Sequence, residues 1–354
     1  MRSPLRLTTT RRLLARAAFC AFVAIAYGRD AAFTQTRAAF LQLIDRPHVP
    51  LSATVSPPEK NDGLIQIHFS FAADAAQRVP GLLVKTANSS GRRPVVISLH
   101  GTGGNKEGQH SLLADFAREG FIGVAIDGRY HGERTRSGKG IAEYNDAILR
   151  AYQDAPHGEH PFYFDTAWDV MRLIDYLQTR DDVDPARIGL IGFSKGGIET
   201  YLAAAVDPRI AVAVPCIGVQ SFRWALDHDA WHSRIETIQA AFDAAAAEAH
   251  QAHPDAAFVH AFYQRVAPGI DGEFDGPAML PLIAPRPLLS INGEIDPRTP
   301  TAGLNACADA ARAAYRSAGA EDKFQLLIEP NTGHKVTPEA MKAAHAWFVR
   351  WLKP

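Results

Sequence analysis

The stretch Arg187 to Thr200, RIGLIGFSKGGIET, carries the residues best arranged for covalent chemistry. Within it Gly192-Phe193-Ser194-Lys195-Gly196 fits G-x-S-x-G, where a serine occupies a sharp strand-to-helix turn and flanking glycines relieve crowding. Such a turn lifts the hydroxyl out at a helix N-terminus, whose free N–H groups stabilise developing negative charge. A serine hydroxyl is a poor nucleophile near neutral pH until a base takes its proton and a third group orients that base. Asp296 lies in Asn292-Gly293-Glu294-Ile295-Asp296-Pro297, just after the apolar run Pro287 to Ile291. His334 ends Glu329-Pro330-Asn331-Thr332-Gly333-His334, just after the run Phe324 to Ile328. Both therefore fall in loops beyond strand ends, in the chain order Ser, Asp, His that the elbow demands. Glu294 is the nearest rival to Asp296, and a plain turn aspartate before Pro297 is the alternative. A fourth part, His100-Gly101-Thr102-Gly103-Gly104, follows the strand-like run Pro94 to Leu99. Backbone N–H groups of Thr102 and Lys195 are the candidates to hold an oxyanion, a contribution of about 3 kcal/mol each.

Positioning these groups requires strands that end near one another. Ile65 to Phe71 alternates apolar and polar residues and predicts an edge strand, with Gly81 to Thr86 beside it. Pro94 to Leu99, Phe121 to Asp127, Ile188 to Phe193, Ile210 to Cys216, Pro287 to Ile291 and Phe324 to Ile328 predict buried strands. Helices are predicted at Ser111 to Arg118, Thr166 to Thr179, Gly196 to Ala205, Thr301 to Ser317 and Pro338 to Leu352. The alternation argues for an α/β fold with a mostly parallel, doubly wound sheet and helices on both faces. Between Gly218 and Pro285 the rhythm breaks: no buried strand is visible, and a helical cap insertion over the strand ends is expected at 219–285, against the alternative of a peripheral helical hairpin.

At 354 residues, 47% hydrophobic and 21% charged, the chain has the make-up of one large globular domain with an insertion. Its formal net charge of -1 offers no electrostatic pull toward nucleic acid or an anionic membrane. Arg2, Arg6, Arg11, Arg12 and Arg16 precede the apolar run Ala17 to Tyr27, too short for a stable membrane span. That pattern predicts an export signal over 1–32, of twin-arginine type from Thr10 to Leu14, and a periplasmic or secreted protein. An uncleaved amphipathic helix and a mitochondrial-type presequence are the alternatives. Residues 33–64 read as an approach segment, with Arg37 to Lys60 proline-rich and linker-like, and 65–354 as the catalytic domain. Cys216 and Cys307 are expected as buried free thiols, since their spacing suggests neither a disulfide framework nor a zinc site, with a bridge between them the alternative that geometry decides.

HGTGG after a buried strand, GFSKGG at the elbow, GEIDPRTP and NTGH together resemble the α/β-hydrolase superfamily over roughly Ile65 to Pro354. More narrowly, Asp127-Gly128-Arg129-Tyr130-His131-Gly132-Glu133-Arg134 resembles the D-x-R-x-H-G loop of dienelactone-hydrolase-like and prolyl-oligopeptidase-like bacterial esterases, acetyl xylan esterase-like members included. The resemblance implies Ser194 as nucleophile, His334 as base, Asp296 as its orienter, and Thr102 and Lys195 as oxyanion donors. Two departures narrow it. Dienelactone hydrolases proper use a cysteine where Ser194 stands, which argues against lactone chemistry, and the stretch before Ile65 is short for the propeller of a prolyl oligopeptidase.

The expectation is a serine ester hydrolase working through an acyl-enzyme without a cofactor, on short acyl groups and acetylated carbohydrate as a small-molecule substrate class. A serine peptidase is the alternative within hydrolases, and a non-catalytic binding protein on the same fold the alternative outside them. His100, Arg129, His131, Trp224 and Trp231 are candidate substrate-binding residues. For Arg129 the competing reading is an ion pair with a loop carboxylate such as Asp127 or Glu133, and for the tryptophans an amphipathic cap face. His228 and His232 stand at helical i, i+4 spacing, but without an H-E-x-x-H glutamate or a third ligand they read as a solvated helix face, and no metal is expected.

Overall fold

Continuous aliphatic runs build the centre of the sheet and alternating ones its rim. The computed structural model describes residues 32–88, 91–138, 140–155 and 158–353; the export signal expected over 1–32, Cys20 included, lies outside them except for residue 32. The strands are β1 (Thr54–Val55), β2 (Glu59–Asn61), β3 (Leu64–Ala72), β4 (Arg78–Thr86), β5 (Arg93–Leu99), β6 (Ile122–Ile126), β7 (Val183–Phe193), β8 (Ile210–Cys216), β9 (Leu288–Gly293) and β10 (Phe324–Glu329). They form one sheet in the order β1-β3-β4-β6-β5-β7-β8-β9-β10, with β2 also on β3. From β6 to β10 all neighbours are parallel, while β3, β4 and β6 pair antiparallel. β3 alternates buried and half-buried residues, whereas β6 and β9 are buried throughout, because helices cover both of their faces.

The helices are α1 (32–44), α2 (His110–Arg118), α3 (Ile141–Gln153), α4 (Phe164–Gln178), α5 (Lys195–Val206), α6 (Phe222–Asp227), α7 (His232–Ile235), α8 (Gln239–Glu248), α9 (Ala256–Val266), α10 (Gly276–Met279), α11 (Thr301–Ser317) and α12 (Pro338–Leu352). α4, α5 and α11 contribute to one core with the insertion, while α2 and α12 close the other with Phe116, Trp347 and Phe348. Every residue of α5 is buried. Its Ala203, Ala204 and Ala205 have no bulk to hold neighbours away, and its last carbonyls accept from Arg37 and Arg286 instead of water. Burial pushes the Arg286 guanidinium down to about 10.

Two expectations change, and one helix is new. The run Ile65 to Phe71 lies in β3, which β1 and β2 flank on its outer side, so it is not the edge of the sheet. The linker-like approach opens instead with helix α1, which buries Phe40 and Ile44 and sends Arg37 to the carbonyls of Ala205 and Leu282 at 2.9 and 2.8 Å; β1 and β2 follow it. α3 goes unpredicted and packs on α8 and α9. The break between Gly218 and Pro285 holds helices α6 to α10 and no strand. Cys216 and Cys307 are buried and free. Among the described residues no helix is long and apolar enough to cross a membrane.

Candidate active site

Chain order reverses at β5: β6 lies on one side of it and β7 on the other, which opens a crevice at the carboxyl ends of β5 and β7. Register brings four loops to that crevice. Leu99 pairs with Gly192, so the chain leaves β5 at His100 beside the point where it leaves β7 for the elbow. Gly293 pairs with Glu329, so the loops carrying Asp296 and His334 leave from matched rungs of β9 and β10.

Ser194 sits at φ 54° and ψ -111°, a backbone state that a non-glycine residue occupies only when its surroundings enforce it. Its N–H donates to the Cys216 carbonyl at 2.9 Å, tying the elbow to β8. Space dictates the glycines: a Cβ on Gly192 would stand 2.1 Å from the Gly196 carbonyl oxygen, and one on Gly196 would stand 2.3 Å from that of Leu99. The hydroxyl of Ser194 donates to His334 Nε2 at 2.8 Å, and His334 Nδ1 donates to Asp296 Oδ2 at 2.8 Å and Oδ1 at 3.0 Å. Asp296 is buried and also accepts the Arg298 N–H at 2.8 Å. Burial alone would raise its pKa, but hydrogen bonds from His334 and Thr299 outweigh this and hold the carboxyl below its ordinary range. Glu294, the rival, points away and accepts the Asn331 N–H at 2.9 Å.

A cleft of about 360 Å³ opens over the serine, lined by Gly101, Thr102, Ser194, Ile217, Thr237, Arg298 and His334. Thr102 is therefore at the site, and the Lys195 N–H heads α5, where a helix leaves its first donors without intrahelical partners. The Lys195 ammonium turns inward and pairs with Glu199, both buried, beneath the ring of Tyr144. Ile217, with φ 45°, adds a second strained backbone at the cleft wall.

The candidate substrate-binding residues are elsewhere. Arg129 is buried against Asp169 at 3.1 Å, Glu159 at 2.8 Å and Asp74 at 3.1 Å, so its guanidinium is consumed by ion pairs. Asp127 and Glu133, the partners expected for it, pair with Lys106 instead. His100 is buried: its Nδ1 donates to the Gly101 carbonyl and its Nε2 accepts the Gly128 N–H at 3.0 Å, fastening the β5 loop to the β6 loop. Burial, with help from the Lys195 charge, drives its pKa down to about 3. His131 packs between His100 and Tyr144, and burial, Lys195 and His100 drive it to about 2. Trp231 is buried in the insertion against His232 and Phe242, and Trp224 stacks on His228 beside Gly303 of α11. The tryptophans form part of the insertion's packing, and neither lines the cleft. His228 and His232 do not share a helix, because the chain breaks between α6 and α7 at Asp229, φ 51°. Ile217, Thr237 and Arg298 are the cleft residues that sequence reasoning missed; Arg298 stood two residues beyond Asp296 in the loop already singled out.

Comparison with known proteins follows the same lines. The family model for acetyl xylan esterase (AXE1) matches residues 47–237, and the model for fungal glucuronyl esterase matches residues 160–319. "Putative hydrolase YtaP" of Bacillus subtilis is 29% identical over 289 residues, 78% of this chain and 84% of that one. A 4-O-methyl-glucuronoyl methylesterase of Neurospora crassa is 26% identical over 195 residues, 52% of this chain and 46% of that one. Among solved structures, acetyl xylan esterase 1 from a Thermoanaerobacterium species superposes with a TM-score of 0.68 at 18% identity, over 90% of this chain and 93% of that one. A glucuronoyl esterase from Solibacter usitatus does so with a TM-score of 0.60 at 18% identity, over 88% and 91%.

Proposed function

The chain belongs to the acetyl xylan esterase (AXE1) family of the α/β-hydrolase superfamily, and on that premise we propose that it is a serine ester hydrolase acting through an acyl-enzyme. The observation that carries the reading is the hydrogen-bonded series Ser194, His334, Asp296 opening into a cleft that also holds Thr102. Ser194 Oγ attacks the ester carbonyl while His334 Nε2 takes its proton, and buried Asp296 keeps Nδ1 protonated and steadies the imidazolium. The carbonyl oxygen, now negative, meets the N–H groups of Thr102 and Lys195. His334 then protonates the leaving alkoxide, and a water activated at the same nitrogen releases the acid and restores the serine.

Acyl size is read from the cleft, whose lining includes Ile217 and Thr237 and whose volume of about 360 Å³ suits an acetyl group with one sugar or aryl ring better than a long chain. Acetylated carbohydrate is the substrate class that membership of the acetyl xylan esterase family supports. The test is acetate release from acetylated xylo-oligosaccharides together with a 4-nitrophenyl acyl series. Activity is expected on the sugar esters and to fall steeply beyond butyrate. Cleavage of proline-containing peptides in place of esters, or a preference for decanoate, overturns the reading.

A further inference from the structure

This protein pairs its buried guanidiniums. Arg129 and Arg134 share Asp169, Arg172 holds Asp175, and Arg286 donates to three backbone carbonyls at the end of α5 and the start of β8. Two arginines break the pattern: one lines the catalytic cleft, and the other lies directly behind its wall. Arg298 lines it with Ser194 and His334, and its Nη1 is buried without a hydrogen-bond partner. Arg234, brought from the insertion by α7, is 1% exposed; its Nε has no partner, and its Nη2 reaches only the Gly218 carbonyl at 3.5 Å. Among the described residues neither has a carboxylate at ion-pair distance.

The two are linked through the cleft wall. Thr237, a lining residue, donates its hydroxyl to the Arg234 carbonyl at 2.8 Å. Tyr163, held at φ 76°, is buried where the fields of Arg234 and Arg298 both reach its phenol. The other groups facing Arg234 are the phenols of Tyr201 and Tyr263 and the carboxylate of Asp296. Asp296 cannot neutralise both arginines, because its two oxygens are engaged by His334 and the Arg298 N–H. A desolvated guanidinium without a counter-charge is costly, and the cost falls away when a ligand supplies the anion.

We propose that Arg298, backed by Arg234, forms an anion subsite in the cleft and that the natural ester carries a free carboxylate beside the scissile bond, as a hemiester or an O-acylated acidic sugar does. The inference rests on Ser194 being the nucleophile. A planar guanidinium takes the two oxygens of a carboxylate side by side, which fits a single wall position better than a phosphate requiring a cradle of donors. Arg298 touches the substrate; Arg234 is a positioning residue that raises the local potential from behind Thr237.

Two matched ester pairs test it, each rate divided by that for hydroxide. Mono-4-nitrophenyl succinate against its methyl ester places the carboxylate on the acyl side; 4-acetoxybenzoate against methyl 4-acetoxybenzoate places it on the alcohol side. The wild type should prefer the carboxylate member of at least one pair by about 10- to 100-fold in kcat/KM, the span of a charge-assisted hydrogen bond. Arg298→Gln should bring that ratio to about one, Arg298→Lys should keep part of it, and Arg234→Gln should lower it through KM. A wild-type ratio near one in both pairs, or an undiminished ratio in Arg298→Gln, overturns the subsite. Cleavage of 4-nitrophenyl acetate that persists in Ser194→Ala overturns the nucleophile instead, so the two failures are distinct.

Discussion

Lowering the pH from 7 to 5 should destabilise this protein through two histidines that never titrate in the fold. His100 and His131 are buried with pKa values of about 3 and about 2, against 6.5 in an unfolded chain. Their folded values are depressed, so the stabilisation is fully present above pH 6.5 and is lost as the pH falls, because the unfolded chain takes up protons that the folded one refuses. Between pH 7 and 5 an unfolded histidine gains about 0.7 proton, and integration gives about 2 kcal/mol per residue, or about 4 kcal/mol for the pair. His131→Phe isolates half of it. The ring keeps the aromatic stack between His100 and Tyr144, whose centroids lie 5.1 and 4.6 Å from that of His131, and His131 Nε2 has no partner to lose; any cost of the larger ring is the same at every pH. The Nδ1 contact to the Arg129 carbonyl is lost at every pH and so cancels from the slope. Urea midpoints at pH 7, 6 and 5 should show the variant gaining about 2 kcal/mol on the wild type over that interval. Parallel pH curves for the two proteins would refute the reasoning.

Gly196→Ala pushes a methyl group to within 2.3 Å of the Leu99 carbonyl oxygen and 2.8 Å of that of His100, so α5 must leave β5 and the oxyanion loop. A loss of about 1–3 kcal/mol in thermal or urea stability and of about 100-fold in kcat/KM for 4-nitrophenyl acetate is expected. Glu199→Gln strands the Lys195 ammonium in the interior and should cost about 3–5 kcal/mol, whereas Lys195→Met with Glu199→Leu should cost far less; a double-mutant cycle read by urea unfolding measures the difference. Asp296→Asn should lower kcat by about 10⁴-fold with the fold intact by circular dichroism, because an amide no longer holds Nδ1 of His334 as the donor.

The parallel strands were legible because β5, β8, β9 and the second half of β7, from Ile188, are apolar runs that only a sheet covered on both faces can hide. Loop positions followed from them: once β9 and β10 are located, Asp296 and His334 must emerge from neighbouring strand ends. α3 is missed although Tyr144, Ala147, Ile148 and Ala151 form a readable stripe, because no capping side chain marks its start at Gly140. α1 hides behind the prolines that follow it, although Phe40 and Ile44 lie one helical turn apart. The polar residues resist for a different reason. Arg129 and Arg298 look alike in sequence, and only the folded chain surrounds the first with Asp74, Glu159 and Asp169 and leaves the second facing the cleft. Arg234 and Thr237 meet the catalytic loops from the insertion, across a sequence separation that no local pattern encodes.

The account turns on Ser194, and covalent labelling tests it most directly. Incubated with an aryl or alkyl fluorophosphonate, the wild-type protein should gain a single adduct by intact mass, located by peptide mapping to Ser194, in step with loss of 4-nitrophenyl acetate hydrolysis. Ser194→Ala should take up no label and hydrolyse the ester no faster than buffer. An adduct on another residue that inactivates the enzyme, or an unlabelled Ser194→Ala variant that retains wild-type turnover, would contradict the account.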